Sequence, residues 1–177
     1  PPGGVQVRGR DVEQQVEITL EEAIHGTQRI LEKDGRRLEV KIPPGAVTGT
    51  RVRIAGEGGA GMGGAPAGNL YLVVKVLPHP LFEVEGADLR CEVPLPLYTA
   101  VLGGEVSVPA PGGQVKLKIP PETQSGKVFR LRNQGLPHLR QPTQRGDLLV
   151  KVRVMIPTRL TDGERKLFEQ LKQMREK

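Results

Sequence analysis

The chain has no tryptophan, two tyrosines, three phenylalanines and one cysteine among 177 residues. Without aromatic platforms there is little for nucleic-acid bases to stack on. A single cysteine, Cys91, excludes an internal disulfide framework and any cysteine-based zinc module in these residues, and it fits a reducing compartment. No apolar run approaches the roughly 18–20 residues that cross a bilayer as a helix. The three histidines, His25, His79 and His138, stand far apart and at no metal or triad spacing, so each reads as structural. No G-x-S-x-G nucleophile motif is present. Gly56 to Gly61 does match G-x-G-x-x-G, but a phosphate site needs a helix to follow, and Met62-Gly63-Gly64-Ala65-Pro66 cannot start one. That stretch reads as a flexible hairpin loop. No catalytic residue, metal or cofactor is expected.

What the chain does have is repetition. Sliding the sequence by 77 positions sets Val16 on Val93, Leu20 on Leu97, Ala23 on Ala100, Gly26 on Gly103 and Gly49 on Gly126. The same shift sets Lys41-Ile42-Pro43-Pro44 on Lys118-Ile119-Pro120-Pro121. After a loop the offset becomes 78, with Gly68 on Gly146 and Val74 on Val152. Two copies are too few for a solenoid, so two homologous β-rich subdomains of roughly 75–80 residues each are expected in series. The net charge of +6 invites a nucleic-acid reading. Yet the basic residues alternate with apolar ones in Arg51-Val52-Arg53-Ile54 and Val150-Lys151-Val152-Arg153-Val154, which is how a strand with one wet face is written.

The expected fold is mostly β: two tandem β-sandwich-like subdomains with short helices and a C-terminal amphipathic helix. Residues 1–11 read as the end of a Gly/Pro linker, 12–84 as the first subdomain, 85–160 as the second and 161–177 as the helix. Thr19 and Glu22 form a capping box for a short helix that Gly26 ends. Asp34-Gly35 marks a tight hairpin turn, and each Pro-Pro pair ends a strand by removing ladder donors. In the last segment Thr161 and Glu164 form a second capping box, and Leu167, Phe168, Leu171 and Met174 share one helical face. That stripe must be covered by the chain's own second subdomain or by another chain. A doubled antiparallel sheet also has edges, and an edge can take up an extended peptide as one more strand. In the first copy Val16, Ile18, Leu31 and Phe82 are the apolar candidates for lining such a site, although each taken singly reads as core.

The order of words is informative too: TLEEAIHG, KIPPG, GTRVRI, HPLFEVEGADL, PLYTAVLGGEVSVPAPGG, KIPPETQSGKVFRLRNQG and RGDLLVKVRVMIP. In this order, from about Val12 to the end, they resemble the C-terminal region of the DnaJ family of J-domain co-chaperones. The resemblance implies a non-enzymatic fragment that binds unfolded polypeptides in apolar grooves and delivers them to a DnaK-type ATPase in the cytoplasm, as a homodimer. By position the client groove would involve Val16, Ile18, Arg29, Leu31 and Phe82. An acidic tail of the partner ATPase would dock at Arg29 and Lys33, and Leu167, Phe168, Leu171 and Met174 would serve dimerisation. The family's J domain, with its His-Pro-Asp triplet, does not occur in these residues, which begin at Pro1 and read as a fragment. Where some members insert a cysteine-rich zinc module, this chain has only LEKDGRRL, so it resembles the zinc-free class. Val84 stands where the family usually has a basic residue. The rival reading is a basic β protein that binds nucleic acid electrostatically.

Overall fold

A computed structural model describes residues 3–176. The first copy runs β1 (Val12–Ile18), α1 (Leu20–His25), β2 (Thr27–Lys33), β3 (Arg36–Ile42), β4 (Arg51–Ile54) and β5 (Leu70–Val76). The second begins with a short extra strand, β6 (Glu83–Glu85). It then repeats the order as β7 (Asp88–Pro96), α2 (Leu97–Leu102), β8 (Gly104–Ala110), β9 (Gly113–Ile119), β10 (Val128–Leu131) and β11 (Leu148–Met155). A terminal helix, α3, spans Asp162–Arg175.

Each copy pairs a main sheet with a hairpin. The first sheet has the order β1-β5-β4, with β1 parallel and β4 antiparallel to β5. The second has the order β10-β11-β7-β6, the same arrangement with β6 added beside β7. Glu83 and Val84 therefore pair within the second sheet, although the sequence groups 12–84 with the first unit. The β2–β3 and β8–β9 hairpins form the other layers. Period-two alternation decides which residues lie between layers. Ile18, Leu72, Val74 and Ile42 fill the first core, and Leu89, Leu95, Val150, Val152 and Ile119 fill the second, all nearly or wholly sealed from solvent. Each such side chain contributes about 1.5–3 kcal/mol by leaving water.

The basic strand residues lie on the wet faces, as the alternation requires. Arg51 pairs with Glu13 at 2.6 Å and lies over the Tyr71 ring at 4.4 Å. Both capping boxes form, Thr19 with Glu22 and Thr161 with Glu164. The β2–β3 turn has Asp34 and Gly35 both at positive φ (50° and 73°), the geometry that matches strand twist in a two-residue hairpin.

The glycine loop departs from expectation. It is stitched rather than slack. The Gly58 amide donates to the Gly68 carbonyl, Gly68 to Gly59 and Gly59 to Arg10, at 2.7–2.9 Å. The preceding chain joins in, with Gly9 donating to Pro66 and Val7 bridging Met62. The second copy ties the same knot, Gly135 to Gly146, Gly146 to Leu136 and Leu136 to Ala87. These glycines serve close backbone approach. A β-carbon on Gly58 would sit 2.6 Å from the Asn69 carbonyl oxygen.

Candidate peptide-binding site

A candidate surface lies between β1 and the β2–β3 hairpin. Among the described residues β1 pairs with β5 alone, and β2 with β3 alone, so each has an unpaired side. The parallel ladder begins where Val12 N–H donates to Asn69 and ends where Leu77 N–H donates to Ile18. Backbone groups alternate sides along a strand, so Val12, Gln14, Val16 and Ile18 turn theirs to β5. Glu13, Gln15 and Glu17 turn theirs outward. In the second copy part of the corresponding edge is occupied, because β6 pairs with β7 from Asp88 to Arg90.

The hairpin's inner face tapers. Ile42 and Val40 are buried, while Leu31 and Leu38, paired across the strands farther out, are only half-buried. In the second copy Val108, which matches Leu31, is sealed and Ala110, which matches Lys33, is buried, while Val115, which matches Leu38, is half-buried as Leu38 is. Its hairpin end, with Pro109, Pro111 and Gln114, shares a cleft with Leu20 and Ile24 of α1. The wedge under the hairpin is thus less closed at Leu31 on β2 than at Val108 on β8, and alike at Leu38 and Val115.

Two cations tether the first hairpin. Arg29 donates to Glu22 at 2.6 and 2.9 Å, and to the outward carbonyl of Glu17 at 3.0 Å. This pairing and the Thr19 amide hold the Glu22 carboxyl down to about 2, while the carboxylate in turn raises the Arg29 guanidinium. Lys33 donates to the carbonyls of Glu57 and Gly58. Leu31 lies between them on the same side of β2.

The expected site residues do not all share this surface. Arg29, Leu31 and Lys33 do. Val16 and Ile18, 9% and 0% exposed, point into the core, so β1 offers a ligand its backbone edge rather than these side chains. Phe82 is 7% exposed and sits at the joint between the copies, in clefts that include none of the three hairpin residues. Arg29 and Lys33 already have internal acceptors, so they are not bare docking cations. The sequence also passed over Ile30, which is 65% exposed on the hairpin's outer face. Adjacent apolar residues on one strand cannot both face inward, and the Ile30-Leu31 pair carried that signal. Of the terminal stripe, Leu167, Leu171 and Met174 are exposed, and Phe168 meets the Tyr98 ring at 6.3 Å.

The profile of the DnaJ C terminal domain family matches residues 12–157, a span that takes in both copies and the hairpin wedge. The chain belongs to the DnaJ C-terminal domain family. It is 44% identical over 164 residues to Chaperone protein DnaJ 2 of Thermus thermophilus, covering 93% of this chain and 56% of that protein. It is 51% identical over 142 residues to Chaperone protein DnaJ of Roseiflexus sp., covering 80% of this chain and 38% of that one. The chain therefore spans little more than half the length of the first of these relatives and less of the second. In this DnaJ-family chain the two-residue turn at Asp34-Gly35 closes the β2–β3 hairpin directly. Among the described residues no group of three or more His, Cys, Asp or Glu is placed to hold a metal ion. No described helix is long and apolar enough to cross a membrane.

Proposed function

We propose that this chain is the client-holding part of a co-chaperone, taking up extended non-native polypeptide along the open edge beside β1 and β2 and passing it to a DnaK-type ATPase. The observation that carries the reading is the contrast between copies: Val108 is sealed on β8, whereas the matching Leu31 on β2 is only half-buried. Backbone groups at Glu13, Gln15 and Glu17 give sequence-tolerant pairing, and Leu31 adds apolar grip. No reactive centre takes part. A tail of acidic residues from the ATPase reaching Arg29 and Lys33 has to compete with Glu22 and Glu57. A second copy of the chain covers Leu167, Leu171 and Met174.

The test is a fluorescence titration of an extended apolar peptide against the chain and its Leu31→Ser variant. Losing about 1–2 kcal/mol of apolar contact weakens binding about five- to thirty-fold. Unchanged affinity in a folded variant removes the wedge from the reading. The nucleic-acid alternative draws less support, because Arg51, Arg130 and Arg153 pair with Glu13, Asp147 and Glu92. Apolar client capture persists as salt rises, whereas phosphate binding collapses.

A further inference from the structure

We propose that His79 is a positioning residue at the joint between the two subdomains, its ring nitrogen Nδ1 holding the turn that seats Phe82. This rests on the client-holding reading only so far as Phe82 serves that surface. The chain leaves β5 through Pro78-His79-Pro80 and reaches the second sheet at Glu83. The prolines have no N–H, so Leu81 and Phe82 carry the first backbone donors after His79 in this turn. Both donate to His79 Nδ1, at 3.0 and 3.3 Å. An amide can only donate, so Nδ1 is bare and the ring proton sits on Nε2, where Glu21 Oε1 accepts it at 3.1 Å. The ring also packs against Phe82, with centroids 5.2 Å apart. One side chain thus ties α1, the connecting turn and Phe82 together, doing for the turn what Asn or Asp does in an Asx turn. The second copy has Pro157 at the corresponding position, where no further subdomain follows among the described residues.

The experiment is amide hydrogen exchange on the full chain, comparing His79→Asn, whose Oδ1 can accept both amides, with His79→Phe, which keeps the ring contact and loses the acceptor. Leu81 and Phe82 should exchange about ten-fold faster or more in His79→Phe and stay near the parent in His79→Asn, with Val74 and Val150 protected in both. Protection kept in His79→Phe, or lost equally in His79→Asn, overturns the proposal; if His79→Phe does not fold, His79→Leu takes its place in the same comparison. Peptide affinity measured in parallel separates the two readings. Affinity that falls with protection supports a client role for Phe82, and affinity unchanged while protection is lost removes that role and leaves the joint.

Discussion

Gly45 and Glu122 occupy the same place in the two copies, after the Pro-Pro pair, and both have left-handed backbones, with φ of 90° and 61°. Their surroundings differ. A β-carbon on Gly45 would fall within contact distance of the Pro137 carbonyl oxygen and 2.9 Å from the Leu139 nitrogen, where a loop of the second copy rests on the first. Gly45→Ala combines backbone strain with that clash and should destabilise the chain by about 1–3 kcal/mol in denaturant unfolding. Glu122 is exposed, so Glu122→Gly relieves strain of about 1 kcal/mol less the backbone entropy that glycine loses on folding, a small gain at most. A second residue-scale prediction concerns acid. Hydrogen bonding from Arg29 and the Thr19 amide places the folded Glu22 carboxyl at about 2 against an ordinary 4.5. A depressed folded value stabilises the fold above 4.5, and the contribution is lost as pH falls from there toward about 2. Glu22→Gln should flatten that part of the stability curve and leave the neutral side lower and level. The capping role of Glu22 was legible from Thr19 three residues before it. Its bond to Arg29 was not, because nothing in a one-dimensional pattern shows β2 passing beside α1.

At the scale of elements, local chemistry told most about turns and periods. Asp34-Gly35, the proline pairs and both capping boxes each act within a few residues, so the sequence contains the whole interaction. Facing was harder. Alternation in QVEI marked Val16 and Ile18 as apolar without saying which side a ligand would use, and pairing with β5 turned both inward. The glycine loop misled for a related reason: its partners are backbone atoms of residues 7–10, which no side-chain pattern records. The open edge yields a sharp test. Gln15 turns its N–H away from β5, so Gln15→Pro breaks no ladder bond yet obstructs an added strand. Gln14→Pro removes a bond to β5. The first should weaken peptide binding with a near-native melting curve, and the second should cost stability outright. Equal affinity for the parent and Gln15→Pro would mean that peptide does not pair along β1.

At the scale of the molecule, every strand pairing among the described residues stays within one copy, with the joint at His79 and Phe82 and the contact at Gly45 linking them. The copies use their hairpin ends differently: the second shares a cleft with α1, and the first is tethered by Lys33 and Arg36 to Glu57 and Gly58. α3 adds a further asymmetry. No residue of this helix is buried, yet Leu167, Leu171 and Met174 are 61%, 57% and 72% exposed on one side. An amphipathic stripe at that exposure is stabilised when a second copy covers it. Deleting residues 161–177 should therefore change the unfolding midpoint little while converting dimers to monomers in light scattering. In the proposed reading a dimer would also bear on client capture. Two open edges on one particle turn the second contact with a long polypeptide into an intramolecular event, with an effective concentration in the millimolar range. The truncated chain should bind a short peptide as the parent does and lose about a hundred-fold for a long unfolded chain. A parent that is already monomeric, or equal losses for both ligands, would place the helix outside client capture altogether.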